Sequence, residues 1–281
     1  MRSTTLVTAQ TLAQNLADPA WRIFDCRHDL KNPALGAQQY AGAHIPGAQF
    51  AHLDRDLSAP KTGSNGRHPL PSPEAIAQWL GEQGIRPQDQ IIAYDTDSGT
   101  MAARLWWTLR WIGHEAVAVL DGGYARWVEE GYSVNARVPE HPRTTYPLRQ
   151  RPNMTVEVAQ IESRTEDENV LLLDARSPTR HRGESEPIDP VAGRIPGSHN
   201  RFCAQNLDGD GLFKDAGTLR QEFAVLLGKR SPEDVVHYCG SGVAACHNQL
   251  AMEIAGFTGS RLYAGSWSEW IADPRRPREK G

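Results

Sequence analysis

The sequence feature that most constrains the fold is an internal repeat: four landmarks recur in the same order in the two halves of the chain. The offsets between matching landmarks lie between 143 and 150 residues. Ordered matches at nearly constant spacing indicate one structural unit used twice. The matching pairs are Trp21–Arg27 with Val170–Arg176, Gly42–Ala48 with Ala192–Ser198, Ile91–Asp95 with Val235–Cys239, and Gly122–Trp127 with Gly265–Trp270.

The repeat and the length of 281 residues predict two domains, each large enough to bury its own core. Prolines at positions 139, 142, 147 and 152 lie among polar residues between the copies, a composition typical of an extended linker. We therefore predict a first domain over residues 1–140, a linker over 141–154 and a second domain over 155–281.

Strand-like apolar runs alternate with helical patterns in each copy. Ser72 is placed to cap one helix, and Gly228 is placed to end another. Strands separated by helices pair in parallel through right-handed crossovers. The predicted fold class is α/β: two tandem domains, each a parallel sheet flanked by helices.

Charge and cysteine content exclude several classes of function. The chain has 30 basic and 34 acidic side chains, whereas nucleic-acid-binding domains usually show a basic excess. Its four cysteines form no C-x-x-C pair, which favours free thiols in a reducing compartment. We find no signal-peptide pattern and no apolar stretch of membrane-spanning length. We therefore expect a cytoplasmic protein with neither nucleic acid nor membrane as a partner.

The segment that points to chemistry is centred on Cys239. It follows the apolar run Val235–Tyr238 and precedes a helical pattern that Gly256 ends. Gly240 and Gly242 permit a tight loop whose N–H groups can converge on the sulfur. Because such a loop favours an anion, the pattern predicts a thiolate nucleophile.

Two other interpretations of this loop compete with the nucleophile. A free cysteine is often simply a small buried hydrophobe, but a buried strand end needs no glycine-rich loop. A cysteine phosphatase needs an arginine six residues after its cysteine to bind the phosphoryl oxygens, and that position is Ala245. The first copy has Asp95 where the second has Cys239, so we expect one active and one supporting copy.

The sequence resembles the tandem-domain rhodaneses, which are thiosulfate and 3-mercaptopyruvate sulfurtransferases. The resemblance spans the whole chain and is carried by both Ile-Pro-Gly landmarks, the stretch Arg180–Pro187 and the Cys-Gly-Ser-Gly-Val loop at 239–243. It implies an inactive N-terminal domain, an active C-terminal domain and sulfur carried as a persulfide of Cys239. It also implies no metal and no organic cofactor.

The resemblance also implies roles for individual residues. Ser241 would relay a proton with Asp54 and His68, and Arg180 would bind the anionic end of the donor. The substrate-binding loop would comprise Gly240, Gly242, Val243 and Ala244.

The chain departs from the family pattern at two positions. Ile188 stands where the family has a second donor-binding arginine, and Ala244 replaces the usual threonine. Arg182, two residues from Arg180, is our candidate to supply the second anion contact.

The Cys-Gly-Ser-Gly loop resembles that of the mercaptopyruvate enzymes, since thiosulfate enzymes tend to carry cations in this loop. The predicted function is transfer of a sulfane sulfur from 3-mercaptopyruvate, or thiosulfate, through Cys239 to cyanide, a small thiol or a thioredoxin-like protein. The alternatives are a thiosulfate:cyanide sulfurtransferase and a non-catalytic sulfur-sensing or interaction module.

Overall fold

A computed structural model describes residues 2–164 and 170–281. The chain separates into two compact units. The first unit comprises Met1–Ser58, Pro71–Arg151 and Gly209–Phe213, and the second comprises Ala59–Leu70, Pro152–Asp208 and Lys214–Gly281. Neither unit is one continuous stretch of the chain. Residues 59–70 belong with the second unit, and residues 209–213 belong with the first.

The first unit is built around a parallel sheet. Its strands and helices are β1 Leu6–Val7, α1 Ala9–Asn15, β2 Trp21–Asp25, α2 Ala34–Gly42, β3 Ala48–Phe50, α3 Pro73–Glu82, β4 Gln90–Tyr94, α4 Thr100–Trp111, β5 Val117–Leu120 and α5 Gly123–Glu129. The strand order is β1-β5-β4-β2-β3. Its core includes the buried side chains of Ile23 on β2, Ile92 on β4 and Trp127 on α5.

The second unit repeats this plan with another parallel sheet. Its strands and helices are α6 Val158–Arg164, β6 Leu171–Asp174, α7 Pro178–His181, β7 His199–Asn200, α8 Ala216–Leu227, β8 Val235–Tyr238, α9 Ala244–Ile254, β9 Arg261–Leu262 and α10 Ser266–Trp270. The strand order is β7-β6-β8-β9. Trp267, Trp270 and Tyr238 are completely buried in its core. Short 3-10 turns cover Pro152–Met154, Cys203–Asn206 and Pro232–Asp234.

Both units confirm the predicted fold class, and the helix ends follow local chemistry. The Ser72 hydroxyl accepts the Ala75 N–H at the start of α3, as a capping serine should. Gly228, with φ +60°, ends α8 in a conformation that favours glycine. Within the described part of the chain, we see no helix with the length and apolar character required to cross a bilayer.

The predicted linker is irregular in structure but packs on the first unit. Tyr146 is buried, and its hydroxyl lies 2.8 Å from His114 Nδ1. The Thr144 N–H donates to the Gly81 carbonyl, and the Arg151 N–H donates to the Trp111 carbonyl. Residues 141–151 thus contribute to the stability of the first unit.

Candidate active site

The candidate site forms where β8 ends. All four residues of β8 are buried, and the strand lies between β6 and β9. Cys239 follows directly and is 3% exposed. The carboxyl ends of parallel strands are where α/β sheets place their ligands, so β8 presents Cys239 at the functional edge.

The Cys239 sulfur is held by its own loop. The Gly242 N–H donates to Sγ over 3.2 Å, and α9 begins at Ala244 after Val243, so the positive end of the helix dipole lies nearby. The Cys239 N–H donates to Ser266 Oγ over 3.1 Å. These two hydrogen bonds fix the sulfur and the backbone of Cys239 at the end of β8.

Two loop glycines leave room for different neighbouring groups. Gly242 has φ +75°, and a methyl group there would lie 2.3 Å from the Ala264 carbonyl oxygen. A methyl group on Gly240 would lie 2.7 Å from Arg67 Nη2 and 3.3 Å from Arg180 Nη2. The absent side chain at Gly240 therefore lets two guanidinium groups reach the backbone beside the nucleophile.

Ser241 and His68 are brought together by the structure. Ser241 Oγ lies 2.7 Å from His68 Nδ1, and both side chains are buried. His68 lies on the 59–70 segment, which clusters with the second unit. A hydroxyl hydrogen-bonded to an imidazole can pass a proton to a reacting group and be reprotonated by the ring.

Asp54, the third residue predicted for this relay, belongs to the first unit. Its N–H donates to His52 Nδ1 over 3.1 Å, and its carboxylate lies 3.8 Å from His28 Nε2. The relay role of Asp54 stays a prediction.

His28, His52 and Asp54 are also the described residues whose ligand atoms, all within 4.8 Å of one another, could hold a metal ion. Because His52 Nδ1 accepts a backbone N–H, a neutral ring carries its proton on Nε2, which leaves that nitrogen unsuited to a metal.

The cations beside the loop are Arg180 and Arg67. Asp189 joins them: Arg67 Nε donates to Oδ1 over 2.8 Å, and Arg180 Nη2 donates to Oδ2 over 3.1 Å. The Asp189 side chain is 1% exposed. Burial raises the pKa of Asp189, and the charge of Arg67 opposes this shift.

Arg182 does not join this cluster. Its Nε and Nη2 donate to the two carboxylate oxygens of Glu184 over 2.7 and 2.9 Å, and both side chains are exposed. The expectation that Arg182 replaces the missing arginine is therefore not supported, and Arg67 stands beside Gly240 instead.

A buried ion-pair network anchors this cluster to the sheet. Glu186 accepts hydrogen bonds from Arg180 and from Arg176, and Arg176 also pairs with Asp174 at the end of β6. Although burial alone would raise it, the His181 hydrogen bond and the Arg176 charge lower the pKa of Asp174 to about 2. The network is thus a chain of alternating charges running from β6 to Arg67.

In the first unit, Asp95 occupies the position that Cys239 has in the second. Its carboxylate accepts N–H groups of the loop and of the first turn of α4, including those of Gly99 at 2.9 Å and Met101 at 2.7 Å. Burial raises the pKa of Asp95. The first copy of the loop therefore binds an internal carboxylate and has no cysteine thiol at this position.

Sequence reasoning missed Arg67, Asp189 and Ser266. Arg67 directly precedes His68, and Asp189 directly follows Ile188, so their proximity to named candidates was the available signal. Ser266 lies in a repeat landmark and has φ +54°, unusual for a residue other than glycine. Its hydroxyl accepts the Cys239 N–H and donates to the Tyr263 carbonyl, which explains the conformation.

Comparison with known proteins gives matches over both copies. The model of the rhodanese-like domain family matches residues 8–130 and 157–273. A Pseudomonas aeruginosa protein named "Probable 3-mercaptopyruvate sulfurtransferase" is 45% identical over 283 residues, covering 100% of both chains. "Thiosulfate/3-mercaptopyruvate sulfurtransferase 2" of Arabidopsis thaliana is 32% identical over 97% of this chain and 85% of its own length.

A solved structure agrees with these sequence matches. The 3-mercaptopyruvate sulfurtransferase from Leishmania major superposes with a TM-score of 0.85 at 29% identity. The match covers 98% of this chain and 75% of that protein. The similarity therefore extends through both repeats.

Proposed function

Since the chain belongs to the rhodanese-like domain family, we propose that it is a sulfurtransferase that moves a sulfane sulfur from 3-mercaptopyruvate through a persulfide on Cys239. The names of its relatives support sulfur transfer and a small-molecule sulfur donor. The observation that carries the proposal is the setting of the Cys239 sulfur at the end of β8. The sulfur accepts the Gly242 N–H, and Arg67 and Arg180 lie beside the next residue, Gly240.

In the first half-reaction, the Cys239 thiolate attacks the sulfur of the donor. An S–S bond forms, the donor's C–S bond breaks, and its electron pair leaves on carbon as the enolate of pyruvate. The Ser241 hydroxyl protonates that carbon, and His68 reprotonates the serine. Asp54 supporting His68 is part of this proposal.

In the second half-reaction, an acceptor removes the outer sulfur. Cyanide or a thiolate attacks that sulfur, the S–S bond breaks, and Cys239 is restored as a thiolate. A thioredoxin-like protein is the macromolecular acceptor we propose. Each step is a two-electron displacement at sulfur, so the side chains and backbone of this protein can supply every catalytic group that the proposed reaction needs.

The donor's carboxylate is bound by Arg180 and Arg67. Arg67 uses Nε and Nη2 for Asp189, and a guanidinium has five N–H donors, so Nη1 can reach a second anion. Charge-assisted hydrogen bonds of this kind fix both position and orientation. The Gly240 and Gly242 backbone lines the remaining side of the donor site.

Thiosulfate is the second candidate donor, because the Arabidopsis relative carries both donors in its name. A doubly charged donor would use the same two arginines. A non-catalytic sulfur-binding module would not need the Ser241–His68 pair.

The test is sulfur transfer to cyanide, measured as thiocyanate, with each donor in turn. Cys239→Ser should abolish turnover with both donors, since a serine hydroxyl cannot carry a persulfide. Cys203→Ser makes the same substitution at another free cysteine, so it is the matched control and should keep wild-type turnover. Turnover that survives in Cys239→Ser would refute the proposal.

A further inference from the structure

The donor site of the second unit contains equal numbers of positive and negative charges. Its chain of ion pairs runs Asp174, Arg176, Glu186, Arg180, Asp189 and Arg67, three carboxylates and three guanidinium groups. A site with two arginines beside its nucleophile would otherwise attract any anion, and the more strongly the higher its charge.

Asp189 is the member of this network placed to act on the donor. Its Oδ2 lies 3.6 Å from where a methyl group on Gly240 would stand, next to the nucleophile. Both donor-binding arginines bind its carboxylate, and its side chain is 1% exposed. In such a low-dielectric setting a single charge changes the energy of a neighbouring anion more than it would in water.

We propose that Asp189 is a specificity-determining residue that favours a singly charged carboxylate donor over a doubly charged one such as thiosulfate. Its negative charge repels any donor bound at Arg67 and Arg180, and it repels a dianion twice as strongly as a monoanion. Removing this charge therefore relieves twice as much repulsion for a dianion as for a monoanion.

Asp189 also positions the two arginines. The carboxylate accepts from Arg67 through Nε and Nη2, an arrangement that fixes the plane of the guanidinium. A purely positioning role would make loss of Asp189 weaken all anions alike. A charge role changes the ratio between dianion and monoanion, so the two roles can be separated. This inference deepens the proposed function and depends on it for the identity of the donor.

The experiment measures binding and turnover separately. Dissociation constants of pyruvate and sulfate, a monoanion and a dianion, are measured by calorimetry on Cys239→Ser protein, with and without Asp189→Asn. We expect Asp189→Asn to raise sulfate affinity relative to pyruvate affinity on the order of tenfold. In the protein that keeps Cys239, the ratio of kcat/KM for thiosulfate to that for 3-mercaptopyruvate should rise similarly.

Three further variants provide controls. Glu184→Gln removes a negative charge from the exposed pair with Arg182 and should leave both ratios unchanged. Asp189→Glu keeps the charge and should keep the wild-type ratio. Arg67→Gln removes a positive charge and should lower the dianion-to-monoanion ratio, which tests the inference even if Asp189→Asn fails to fold.

An unchanged ratio in Asp189→Asn, which includes an equal loss for both anions, would overturn the inference. If Asp189→Asn does not fold, an unchanged ratio in Arg67→Gln would overturn it. Failure of the proposed function looks different, since wild-type protein would then turn over neither sulfur donor. The binding ratios of pyruvate and sulfate would still be measurable in that case.

Discussion

At the scale of single residues, the proposed proton relay of the Ser241 hydroxyl and the His68 ring predicts different behaviour with the two sulfur donors. They are 2.7 Å apart and buried. 3-Mercaptopyruvate leaves behind a carbanion-like enolate that needs a proton, whereas thiosulfate leaves behind sulfite, which needs none. The pair should therefore matter for one donor and not the other.

We predict that Ser241→Ala lowers kcat with 3-mercaptopyruvate by about 100-fold, the range of a lost general acid. The same change should lower kcat with thiosulfate by much less. Steady-state kinetics with both donors checks this. An equal loss with both donors would show that Ser241 shapes the loop and does not transfer a proton.

Some residues of the candidate site could be predicted from the sequence, and others could not. Cys239, Ser241 and Arg180 lie in or near local motifs, so the sequence alone places them at the site. Arg67 could not be assigned, because its role depends on the 59–70 segment clustering with the second unit, a contact between residues more than 100 positions apart. Arg182 was assigned from spacing alone, and Glu184 binds it instead.

At the scale of elements, the loop from β8 to α9 exists because its glycines lack side chains. Gly242 combines φ +75° with close approach to the Ala264 carbonyl. Gly211 has φ +77°, but a methyl group on it would meet no atom within 4 Å. The two positions therefore share a backbone conformation and differ in available space.

We predict that Gly242→Ala lowers turnover by at least tenfold and destabilises the protein by several kcal/mol, because a 2.3 Å contact with backbone oxygen forces the loop to move. Gly211→Ala should cost only the conformational strain, about 1 kcal/mol, and keep full turnover. Urea unfolding and a turnover assay check both variants. Equal effects would refute the steric argument.

The order and type of the helices and strands could be predicted because the same strand-like segments occur in both copies of the repeat. The strands β2 and β6 and the strands β4 and β8 all occupy their predicted segments. The packed state of residues 141–151 could not be predicted, because polar and proline-rich composition is common to free linkers and to segments that pack without regular structure.

At the scale of the whole molecule, the second unit contains a buried histidine in β8. His237 is completely buried, and its Nε2 lies 3.2 Å from Met252 Sδ. Burial lowers the pKa of His237 to about 3. The unfolded chain, with an ordinary histidine pKa near 6.5, therefore binds a proton that the folded protein excludes.

We predict that the free energy of unfolding falls as pH decreases below about 6.5, and that the His237 contribution keeps falling until about pH 3. The slope is about 1.4 kcal/mol per pH unit, or about 2 kcal/mol between pH 7 and pH 5. His237→Leu, which keeps an apolar side chain of similar size, should remove this part of the slope. Urea unfolding across that range checks it, and parallel pH profiles for both proteins would contradict it.

The corresponding loops of the two copies differ in the group that they bind. The N–H groups of the first unit bind the carboxylate of Asp95, whereas in the second unit the Gly242 N–H donates to the sulfur of Cys239. Persulfide formation should therefore be confined to the second unit.

The most direct test of this account is the intact mass of the protein after incubation with 3-mercaptopyruvate in the absence of an acceptor. We predict a gain of one sulfur atom, located by peptide mapping on Cys239 and removed by cyanide. An unchanged mass, or a sulfur atom carried by Cys26, Cys203 or Cys246, would contradict the account.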